Sequence, residues 1–170
     1  MRSQCRLIWL SVAVTGLARI ASPQTSGSRM VEPKRNSTVI FVCEHGAALS
    51  VVSAAYFNKI AQEKHLKLHA IARGVAPQKE LSVSARQGLD SDGVSFETKR
   101  PQKLSIKEAR SARRVVTFYP LPPEYHTRTP VESWTDVPPT GANYARARDA
   151  IRIHLGELIQ QLESEGTGKR

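Results

Sequence analysis

Cysteine is scarce in this chain: Cys5 and Cys43 are the two present in 170 residues. A disulfide framework is thereby excluded, and a thiolate zinc cluster lacks ligands. Neither CxxC nor HExxH occurs and the five histidines are dispersed, so neither a metal nor a cofactor is expected. Long apolar runs are also missing. The stretch from Leu7 to Ala18 spans about a dozen residues, where a membrane-crossing helix needs roughly 20, so no stable membrane span is expected. The formal net charge of +10 favours anionic partners. The basic residues are nevertheless scattered, with no zinc-finger spacing and no aromatic-interleaved basic motif, which argues against dedicated nucleic-acid binding. No internal repeat is visible.

What remains is a chain of ordinary globular composition, 40% hydrophobic and 24% charged, sized for one domain. Arg2 and Arg6 precede the apolar run, and Gly16 and Ala18 supply small residues for a cleavage site, so residues 1–21 read as a signal peptide. Export to a secreted or periplasmic location follows; the competing reading is a disordered leader on a cytoplasmic protein. Residues 22–37, rich in Ser, Pro, Gln, Arg and Lys without periodicity, read as a linker. The folded domain is expected over 38–163, with 164–170 a disordered tail.

Within that domain, Thr38-Val39-Ile40-Phe41-Val42 is a β-branched and aromatic run suited to a strand buried on both faces. Ala47 to Lys64 has a largely apolar helical face. Leu66 to Ala72 alternates and stops at Gly74 and Pro77, predicting a second strand. Short helices are expected over 79–91 and 105–112, a third strand over 114–118, an extended segment at 131–134, and a final amphipathic helix from Tyr144 to Leu162. This alternation predicts an α/β fold, a doubly wound four-stranded parallel sheet with helices on both faces. Ligands in such sheets bind beyond the carboxyl ends of the strands, where Cys43 falls.

A loop joining a strand to a helix start aims several backbone N–H groups at one point, and the helix dipole adds partial positive charge. An oxyanion belongs there, and the same field favours the thiolate, the nucleophilic form of cysteine. Cys43 is therefore a candidate nucleophile, or alternatively a small buried hydrophobe at a strand end.

Cys43, the five residues Glu44-His45-Gly46-Ala47-Ala48, then Leu49-Ser50 opening a helix resembles the signature of the low-molecular-weight protein tyrosine phosphatase and arsenate reductase superfamily. Ala72-Arg73-Gly74-Val75-Ala76-Pro77 looks like that family's turn after strand two. Trp134-Thr135-Asp136-Val137-Pro138, followed by Arg148-Asp149-Ala150-Ile151, looks like its acid loop and closing helix. The resemblance runs over roughly residues 38–163 in family order. It implies that Cys43 attacks phosphorus, that Ser50 hydrogen-bonds the thiolate, and that Asp136 protonates the leaving oxygen. Residues Glu44 to Leu49 would hold phosphate, arsenate or a phosphorylated substrate.

The chain departs from the family pattern in ways that bear on activity. Leu49 stands where the family has an arginine that clamps two oxygens of the dianion, and an apolar side chain cannot supply that charge-assisted pair. Arg73 or His45 is a candidate replacement; otherwise they are a solvated arginine and a loop-capping histidine. Asp136 is followed by Val137 before the prolines, so it is either the displaced acid or a turn former. Glu44 adds a negative charge to the loop. Three functions follow: a phosphatase-like hydrolase of a phosphomonoester, an arsenate reductase relying on an external thiol, or a non-catalytic oxyanion-binding or thiol redox-sensing module.

Overall fold

The structure, a computed structural model, describes residues 37–167. The expected signal peptide and most of the expected linker lie outside the described residues. Four strands form one all-parallel sheet: β1 (Thr38–Cys43), β2 (His69–Gly74), β3 (Arg114–Thr117) and β4 (Val131–Ser133), in the order β2-β1-β3-β4. Four α-helices connect and flank them: α1 (Leu49–Glu63), α2 (Val83–Ser91), α3 (Ile106–Ser111) and α4 (Tyr144–Thr167), with a 3-10 turn at Pro123–Tyr125. The chain leaves β1 toward β2 on one side and returns to β3 on the other. This reversal opens a crevice at the carboxyl ends of β1 and β3.

The period-two alternation of β1 divides the core. Val39 and Phe41 pack with α1, α2 and α4, while Ile40 and Val42 face Ala109 of α3, Leu121 and Tyr125. Helices thus cover both faces, as expected. Phe41 meets Phe57 edge-on and tilts against Trp134, with centroids 5.9 and 5.5 Å apart. These buried rings anchor α1 and the segment after β4 to the central strand. Asp92, just past α2, accepts hydrogen bonds from Tyr56 of α1 and from Tyr144 and Arg148 of α4 at 2.6, 2.8 and 3.1 Å. One carboxylate thereby ties three helices. No described helix is long and apolar enough to cross a membrane.

Several boundaries differ from expectation: α2 begins at Val83, not at 79, and the second strand and the last helix differ as well. β2 begins at His69, where its pairing with β1 starts at Thr38↔His69. Leu66 instead closes α1: His65 adopts φ 53°, and the amides of His65 and Leu66 return to the carbonyls of Gln62 and Ala61. This is a Schellman ending built without glycine. α4 runs to Thr167, past the expected domain end at 163 and into the expected tail. Part of its extension is held by Glu165, which receives Arg113 and Arg114 at 2.9 and 2.6 Å.

Candidate anion-binding thiol site

Cys43 ends β1 and is buried. The segment that follows, Glu44 to Ala48, is turned by Gly46 at φ 64°. Its carbonyls are held from outside: Glu44 accepts from Val75 and Ala76 at 3.0 and 2.9 Å, His45 from Gln78 at 3.3 Å, and Ala47 from Ser82 at 2.9 Å. In a planar trans peptide the next N–H points opposite its C=O. Fixing the carbonyls outward therefore turns the amides of His45, Gly46 and Ala48 inward. Among the described residues, no protein acceptor takes the N–H groups of Glu44 to Ser50.

The start of α1 continues the pattern. Its N-cap is Ala48, which makes no side-chain cap, and its first turn carries no acidic residue. Ser, Thr, Asp or Asn at that position would stabilise the helix by about 1 kcal/mol. Leaving the end uncapped keeps its amides and its positive dipole end available to an anion. Ser50, fully buried in the first turn, places its hydroxyl 3.1 Å from the Cys43 sulfur. A serine O–H aimed at a thiolate steadies it.

A cavity of about 460 Å³ opens beside Cys43, walled by loop residues Glu44, His45, Ala47, Ala48 and Leu49, by Phe118 and Tyr119 after β3, and by Pro139, Thr140 and Gly141. Leu49 therefore contributes an apolar stretch of that wall. Glu44 is at the rim, its side chain 67% exposed, with the His45 ring 4.0 Å away. Gly46 belongs to the loop and shapes it from behind.

Two expected participants are elsewhere. Arg73 is not a loop cation: the alternation of β2 sends it to the α3 side, where its Nε and Nη2 donate to Glu108 at 3.0 and 2.7 Å, and Nη1 donates to the Ala72 carbonyl. Glu108 also closes a capping box with Ser105. Burial alone would raise the Glu108 carboxyl, but the hydrogen bonds from Arg73 and Ser105 outweigh it and hold the group below its usual range. Asp136 does not wall the cavity either. Its 68% exposed carboxylate meets His154 Nε2 at 2.9 and 3.1 Å, and that hydrogen bond holds its carboxyl below the ordinary range. The His154 ring is itself stacked on Trp134, centroids 4.9 Å apart. The segment after Asp136 reaches the pocket through Pro139–Gly141 instead.

The site also contains residues that sequence reasoning did not single out: Gln78, Ser82, Phe118, Tyr119, Thr140 and Gly141. A usable signal existed for Phe118 and Tyr119, which follow the strand across the sheet's reversal point from Cys43.

The backbone matches known structures over most of its length. YfkJ from Bacillus subtilis superposes with a TM-score of 0.68 at 16% identity, covering 75% of this chain and 95% of that one. A protein tyrosine phosphatase from Entamoeba histolytica gives 0.65 at 15% identity, over 76% and 98%. The chain has the low-molecular-weight phosphatase fold. An arsenate reductase from Archaeoglobus fulgidus shares the same fold, at TM-score 0.55 and 22% identity over 72% and 98% of the two chains. No family sequence model and no curated protein sequence matches the chain. At these identities the likeness covers the fold, and the chemistry rests on the residues of the site.

Proposed function

We propose that the domain is a phosphatase-like hydrolase in which the Cys43 thiolate attacks a phosphomonoester. The sulfur–phosphorus bond forms as the ester oxygen departs with its electron pair. Water then releases inorganic phosphate and regenerates the thiolate. The Cys43–Ser50 hydrogen bond inside an amide-lined, uncapped turn is the observation that supports this reading. With Asp136 turned to His154 and Leu49 on the wall, the reaction is slow and favours leaving groups that need little protonation. Steady-state release of nitrophenol from p-nitrophenyl phosphate, against phenyl phosphate, tests it. Turnover abolished by Cys43→Ser and biased toward the better leaving group is expected; equal turnover in parent and variant contradicts it.

The second reading is a non-catalytic oxyanion-binding or thiol redox-sensing module, favoured by the same engagement of Asp136 and by Leu49. It predicts phosphate binding without ester turnover. Arsenate reduction would require an external thiol, since Cys43 is the free cysteine among the described residues.

A further inference from the structure

The cavity beside Cys43 has the opposite electrostatic character to the chain around it. The sequence carries 25 lysines and arginines, yet among the described residues none of them lines this cavity. Leu49 is apolar, and Arg73 is held by Glu108 on the α3 side. The acidic residue of the wall is Glu44, which follows Cys43 directly. Its carbonyl is pinned by the amides of Val75 and Ala76, while its side chain is two-thirds exposed at the mouth. A phosphomonoester brings a charge of about −1.5 to −2 near neutral pH. The loop amides and the start of α1 answer it with partial charges, about half of one positive charge at a helix N-terminus. The remaining negative charge, added to that of Glu44, meets no cation in the wall.

We infer that Glu44 selects phosphomonoesters whose own alcohol portion carries a positive charge, so that the substrate brings the cation the wall lacks; this rests on reading the Cys43 loop as an oxyanion site. The loop amides hold the phosphoryl group, and the charged tail runs out of the mouth toward the Glu44 carboxylate. The reach is short. Consecutive Cα atoms lie about 3.8 Å apart, so Glu44 stands next to the residue that faces the phosphoryl group. An alcohol bearing a carboxylate meets the same side chain and is repelled. Because Glu44 is largely in water, the preference is screened, amounts to a few-fold, and shrinks as salt is added. Selection at this mouth therefore depends on the charge of the alcohol, while the phosphoryl group is common to every substrate.

The test uses the full chain and Glu44→Gln, which removes the charge and keeps the size of an exposed side chain. Alkylation of Cys43 by iodoacetamide, a neutral reagent, is followed by mass spectrometry of its peptide against increasing ethanolamine phosphate, ethyl phosphate, phosphoglycolate or inorganic phosphate. The first three present one phosphoryl group on a cationic, a neutral and an anionic tail. The quantity read is the concentration giving half-protection, which does not depend on the rate without ligand. In the parent chain it should rise in that order, by roughly three-fold or more from first to last, as partly screened charge pairs allow. The spread should narrow at high salt and collapse in Glu44→Gln. The same spread in parent and variant, or equal protection by all three esters in the parent, overturns the assignment of Glu44 and leaves the oxyanion site standing. No protection of the parent by inorganic phosphate or by any ester overturns both.

Discussion

Gly46 and Gly74 lie backbone against backbone: a methyl group on Gly46 would come 2.7 Å from the Gly74 nitrogen, and one on Gly74 would come 2.6 Å from the Gly46 nitrogen. The Cys43 loop is thus seated directly on the end of β2. Gly46 additionally adopts a left-handed conformation that a Cβ disfavours. Gly46→Ala or Gly74→Ala should destabilise the domain by about 1–3 kcal/mol, as overpacking does. Each should also weaken phosphate protection of Cys43, because the displaced atoms are backbone of the cradle. Urea unfolding together with anion protection measures both effects.

Among the described residues, the Ser50 hydroxyl is partnered by Cys43 alone. Ser50→Ala should slow alkylation of Cys43 near neutral pH about ten-fold, the effect of one charge-assisted hydrogen bond. Far-UV circular dichroism should not change, since alanine is a good helix former at that position.

Leu49→Arg restores a cation to the wall that Leu49 now forms. Turnover of p-nitrophenyl phosphate should rise at least ten-fold, given that one preorganised oxyanion-stabilising group is worth about a hundred-fold or more in other enzymes. An unchanged rate would show that the loop cannot orient an arginine onto the substrate.

The Arg73–Glu108 pair sets an acid limit on stability. The folded Glu108 carboxyl titrates below its unfolded value. Its contribution is therefore fully present above the ordinary glutamate range, about 4.3, and is lost as pH falls through the lower folded value. Glu108→Gln should cost about 1–2 kcal/mol at neutral pH, discounted for partial exposure. The gap between variant and parent in urea titrations should close on acidification.

Much of the fold was legible because it rests on local pattern. β1 announced itself by a doubly buried run, and α4 by its helical spacing. The loop was legible through Cys43, Gly46 and Ser50 at fixed separations. Arg73 was not, because its fate depends on Glu108, 35 residues on, whose carboxylate is brought near by the packing of α3 against the sheet. The engagement of Asp136 was not legible for a related reason. His154 lies 18 residues away along α4, and only the seating of that helix on Trp134 brings the two together. Phe118 and Tyr119 carried no motif; their one signal was their place just past β3, the strand that pairs with β1.

The most direct test of the account is acid quench of the full chain during reaction with p-nitrophenyl phosphate, followed by mass spectrometry of the Cys43 peptide. A phosphate adduct on Cys43, increased when the leaving group is better and absent in Cys43→Ser, is the predicted result. An unmodified Cys43 peptide throughout measurable turnover would contradict the proposal that this thiol is the nucleophile.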